Sequence, residues 1–65
     1  MKILVNGVWR EAASADVASV LNELNYSESV VATAVNGVFV PTAARAGTPI
    51  SEGDQLEVLA PMQGG

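Results

Sequence analysis

Lys2-Ile3-Leu4-Val5-Asn6-Gly7-Val8-Trp9-Arg10-Glu11-Ala12 sets two apolar-rich runs on either side of an Asn-Gly pair. Asn and Gly accept the positive φ that both central positions of a two-residue type I′ turn require, so the stretch predicts a β-hairpin with strands Lys2 to Val5 and Val8 to Ala12. The next segment has a different period. Val17, Val20, Leu21 and Leu24 stand at i, i+3, i+4 and i+7, which puts one apolar stripe on a helix running from about Asp16 to Leu24. Asp16 or Ser14 can cap its start and Asn25 can end it.

The second half repeats the hairpin signal. Val30-Val31-Ala32-Thr33-Ala34-Val35 reads as a buried strand, Asn36-Gly37 as a second tight turn, and Val38-Phe39-Val40 as a short strand stopped by Pro41. Thr42 to Pro49 is a loop of small residues with room for one helical turn. Glu52-Gly53-Asp54 then turns the chain into Gln55-Leu56-Glu57-Val58-Leu59, with Leu56 and Val58 on one face and Gln55, Glu57 and Leu59 on the other. The order is strand, strand, helix, strand, strand, strand. It predicts an α+β fold of the β-grasp, or ubiquitin-like, kind: a mixed sheet of about five strands covered by one main helix, with the first and last strands as parallel neighbours. Residues 1–60 form the β-grasp domain in this reading, and 61–65 a flexible functional C-terminal tail.

Composition excludes several classes of chemistry. The 65 residues make one small domain with 49% hydrophobic content and no cysteine or histidine. That rules out disulfides, thiolate nucleophiles, metal sites built on Cys or His, and any Ser-His-Asp arrangement. Seven acidic residues against three basic ones give a net charge of −4, the wrong sign for neutralising nucleic-acid phosphates or anionic lipid. No apolar run approaches the length needed to cross a bilayer and no leader segment is evident, so the expected location is cytoplasmic.

The tail carries the chemistry that remains. Pro61-Met62-Gln63-Gly64-Gly65 comes directly after the last strand and Ala60. Two residues without Cβ can lie in a groove too narrow for side chains, and they leave the Gly65 carboxylate unhindered. ATP can turn such a carboxylate into an acyl-adenylate open to attack by sulfur or nitrogen.

Met1-Lys2-Ile3-Leu4-Val5-Asn6-Gly7, Ala34-Val35-Asn36-Gly37 with Val40-Pro41, Pro49 through Val58, and Gly64-Gly65 together resemble the ThiS family of thiamin-biosynthesis sulfur carriers over essentially the whole chain. The resemblance implies a co-substrate and not an enzyme, with no catalytic residue, metal or bound cofactor of its own. A ThiF-like adenylyltransferase would adenylate Gly65 with ATP and magnesium, and a cysteine desulfurase relay would supply sulfur. The resulting thiocarboxylate would donate that sulfur to thiazole formation by a ThiG-like thiazole synthase. Gly65 and Gly64 are then the functional terminus, with Gln63, Met62, Pro61 and Leu59 as the partner-binding residues. Many relatives have a basic residue directly after the proline of the fourth strand and an aromatic soon after. Here Thr42 follows Pro41, Arg45 comes later, and no aromatic stands between them.

Trp9 and Phe39 are expected to pack in the core or on the sheet face, and Glu52, Asp54 and Glu57 to form a solvated strand edge and turn. Leu59, Pro61 and Met62 are expected to grip a partner. Three other functions share the diglycine or the fold: the molybdopterin-synthase type of sulfur carrier, a ubiquitin-like protein modifier, and a non-covalent β-grasp binding module.

Overall fold

The computed structural model describes residues 1–26 and 30–60. β1 (Lys2–Val5) and β2 (Val8–Glu11) form the first hairpin. Asn6 and Gly7 occupy its turn at φ 49° and 82°. Helix α1 (Val17–Glu23) is followed by β3 (Ala32–Val35) and β4 (Val38–Val40), a second hairpin turned by Asn36 and Gly37 at φ 50° and 84°. The loop expected after Pro41 holds a 3-10 helix, Thr42–Gly47, and β5 (Gln55–Leu59) closes the described structure.

The strand order is β2-β1-β5-β3-β4. β5 lies in the middle, parallel to β1 through Leu4↔Gln55 and Val5↔Leu56, and antiparallel to β3 from Ala32↔Leu59 to Val35↔Leu56. The expected parallel neighbours are therefore present. α1 packs on one face only, where Val17, Val20 and Leu21 meet Ile3, Val5, Val31, Leu56 and Val58 in a single buried cluster. At seven residues the helix is about 10 Å long, enough for one face of the central strands and no more.

Local chemistry selects between the expected caps. Asp16 is the N-cap, its carboxylate accepting the Ser19 N–H at 2.9 Å, whereas the Ser14 N–H is held by Glu23 Oε1 at 3.1 Å. These backbone hydrogen bonds hold both carboxyls below their ordinary range, Asp16 through Ser19 first and Glu23 through Ala13 first. Asn25 ends the helix at φ 70°.

Two expectations are corrected at the strand ends. β3 begins at Ala32 and not Val30, because Leu59 is the last β5 residue paired with it and the Val31 carbonyl is taken by the Arg45 guanidinium. β2 ends at Glu11, opposite Lys2, although the Ala12 N–H still reaches the Met1 carbonyl at 2.8 Å. Arg45 is turned inward. Its Nε donates to Thr33 Oγ1, which itself donates to the Val40 carbonyl, so the one buried polar side chain of the described core is satisfied.

Candidate functional site

Alternation along the strands gives the sheet a second face, and no helix among the described residues covers it. Trp9 lies opposite Leu4, Phe39 opposite Ala34, Ala34 opposite Glu57, and Ala32 opposite Leu59. Trp9 is 58% exposed, Phe39 65% and Leu59 66%. The core alternative expected for Trp9 and Phe39 does not hold: both are on the sheet face, with one small helix already committed to the other side.

The open face is not uniform. In its middle β3 contributes Ala32 and Ala34, whose short side chains leave a trough between Phe39 on β4 and Leu59 on β5. A depression of about 100 Å³ is lined there by Ala32, Ala34, Phe39, Glu57 and Leu59. A wider one of about 330 Å³, lined by Val30, Val31, Ala32, Leu59 and Ala60, adjoins it where β5 ends. Val30 is 79% exposed. Exposed apolar groups gathered beside a chain exit are what a protein-docking surface offers.

Of the expected partner-binding residues, Leu59 is at this site, at the end of the central strand. Pro61, Met62, Gln63, Gly64 and Gly65 lie outside the described residues. The structure adds Phe39, Val30 and Ala60 beside Leu59, which sequence reading did not assign to a site. A signal was available: Ala32 and Ala34 alternate with Thr33 and Val35, so one face of that strand carries only small side chains.

The acidic residues of the last turn are structural organisers more than a free edge. Glu52 Oε1 accepts the Lys2 N–H at 3.0 Å, and Asp54 accepts the Ser51 N–H at 2.8 Å and Asn36 Nδ2 at 3.2 Å. Glu57 alone of the three stands on the open face, beside the trough. The two carboxylates with lowered pKa, Asp16 and Glu23, serve the helix on the other side of the sheet. Among the described residues no group of three His, Cys, Asp or Glu could hold a metal ion, and no helix is long and apolar enough to cross a membrane.

Residues 3–65 match the ThiS family, and the chain belongs to it. The crystal structure of the thiamine biosynthesis protein ThiS from Geobacter metallireducens is similar throughout, with a TM-score of 0.83, 29% identity, and 100% of each chain covered. A thiazole synthase of Paramagnetospirillum magneticum is 36% identical over 66 residues, which take in 100% of this chain and 20% of that protein. The chain thus spans a fifth of the length of the curated relative it matches.

Proposed function

We propose that this ThiS-family chain is a sulfur carrier for thiazole formation in thiamin biosynthesis, with the carboxylate of Gly65 as the group that carries the sulfur. The observation that supports the reading most is that the family match runs over residues 3–65, through both glycines, on a sheet whose central strand leads toward them. The chain's own part is presentation. β5 is the central strand, paired with β1 on one side and β3 on the other, so the segment beyond Ala60 follows directly on a strand held inside the sheet.

The chemistry belongs to the partners. A ThiF-like adenylyltransferase uses ATP and magnesium to join the Gly65 carboxylate to AMP, releasing pyrophosphate. The terminal sulfur of a protein persulfide formed by a cysteine desulfurase relay attacks the acyl carbon and expels AMP, and a second thiol then cleaves the resulting acyl disulfide, leaving the thiocarboxylate and a disulfide on the relay. A ThiG-like thiazole synthase is the acceptor, a reading supported by the relative in which a segment like this chain and a thiazole synthase share one polypeptide. The trough between Phe39 and Leu59, with Val30 and Ala60 beside it, is the surface on which these partners seat the domain. Gly64 lets the tail pass a narrow channel, with Gln63, Met62 and Pro61 as its flanking contacts. The carrier is consumed and regenerated, and does not itself catalyse. Its dependence on ATP fits a cytoplasmic location.

Intact mass tests this. After incubation with ATP, magnesium, the adenylyltransferase and a sulfur source, the full-length chain should gain about 16 Da, the same gain as oxidation of Met1 or Met62. A thiol-reactive label on the product separates the two. A chain lacking Gly65 should gain no label. An unlabelled full-length chain, folded and offered to an active enzyme, overturns the reading.

A further inference from the structure

The parallel pairing of β1 with β5 stops short of the end of β5. The Leu4 N–H donates to the Asp54 carbonyl at 2.9 Å and the Asn6 N–H to the Leu56 carbonyl at 3.1 Å. Beyond that rung β1 turns away into its hairpin. Val58 would therefore face the β1 side with an amide and a carbonyl that no backbone can reach. The Asn6 side chain meets both: the Val58 N–H donates to Asn6 Oδ1 at 2.9 Å, and Asn6 Nδ2 donates to the Val58 carbonyl at 2.9 Å. A primary amide has the donor and acceptor of a peptide group, so it continues the ladder by one rung.

The second Asn-Gly turn does a related job at the other end of the same strand. Asn36 Oδ1 accepts the Gln55 N–H at 3.0 Å, and its Nδ2 donates to Asp54 Oδ1 at 3.2 Å. A type I′ turn needs only a residue that tolerates positive φ, a condition Asp or Gly also meets. Supplying a donor and an acceptor together selects Asn.

We propose that Asn6 is a positioning residue for transfer: it fixes Val58, and through it the exit of the chain at Leu59 and Ala60, in the geometry the activating enzyme engages. Asn36 fixes the start of β5 and has no part in that geometry. The proposal rests on the carrier reading. When Asn6 is lost, the end of β5 keeps its pairing with β3 but Val58 loses its bonds on the β1 side, so the partner must fix that looser end on binding, and this cost falls on recognition and not on the chemical step.

The test compares Asn6→Gly with Asn36→Gly, two variants that keep turn chemistry, by following pyrophosphate release by the adenylyltransferase as carrier concentration is varied. Asn6→Gly should raise KM about tenfold with kcat within about twofold, since fixing the backbone of one residue costs on that order. Asn36→Gly should leave KM unchanged. An unchanged KM in Asn6→Gly, or an equal rise in both variants, overturns the proposal. If Asn6→Gly does not fold, amide exchange in the wild-type chain decides: a Val58 N–H as protected as that of Glu57 sustains the clamp, and free exchange at Val58 removes it. A wild-type chain that is never adenylated sinks the carrier reading, a result distinct from a loaded wild type whose variants behave alike.

Discussion

The two faces of the sheet are built from alternate residues of the same strands, and their fates are opposite. Leu56 and Val58 are 0% and 5% exposed, while their neighbour Leu59 is 66% exposed. Val40 is buried and Phe39, one residue earlier, is 65% exposed. Hydrophobicity does not distinguish these residues. The covered face stabilises the fold through area removed from water. The open face keeps apolar area in water, where it contributes nothing to folding until a partner covers it. In a domain this small, one helix leaves a whole sheet face available for recognition.

The sharpest way to break that contrast is to truncate one leucine from each face. Leu56→Ala should cost about 2–5 kcal/mol by urea unfolding, a large part of the stability of a domain of this size. Leu59→Ala should stay within about 0.5 kcal/mol of wild type. Similar losses from both would show that the open face is part of the core.

A second test asks whether the open face recognises anything. Phe39→Ala should leave urea stability within about 0.5 kcal/mol and weaken binding to the adenylyltransferase by about 2 kcal/mol, as an anchoring aromatic does. Calorimetric titration reads this directly. Undiminished affinity would move the docking surface elsewhere, with Trp9 at the far edge of the same face as the next residue to change.

The smallest expected effect is electrostatic and belongs to the covered side. Asp16 and Glu23 have folded-state pKa values below their unfolded values, so the stability they contribute is present at neutral pH and is lost as pH falls through those folded values. Acid titration of unfolding should show this loss, and Asp16→Asn should flatten it while retaining a capping side chain. The open-face Phe39→Ala variant should keep the wild-type acid limb.

Both hairpins, the helix and the last strand were readable because their signals are local: Asn-Gly pairs that meet a turn's φ requirement, a stripe at helical spacing, and alternation in Gln55 to Leu59. Even the parallel pairing of first and last strands followed from element order. Leu59 was singled out as a candidate through its position before the tail, and it stands exposed on the open face. Phe39 and Val30 were not, since a period of two marks which residues share a face but not which face a helix will cover. The roles of Arg45, Asn6 and Asn36 were equally hidden. Arg45 lies 12 residues from Thr33, and Asn6 lies 52 from Val58.

The sequence by itself determined the elements, their order and the diglycine ending, because turn, helix and strand preferences act over a few neighbouring residues. Tertiary structure alone decided which apolar residues became core and which stayed exposed. It also made two turn asparagines into clamps on the central strand. Those outcomes depend on the reach of one short helix and on where two strands stop pairing, which are distances in space that no local pattern encodes.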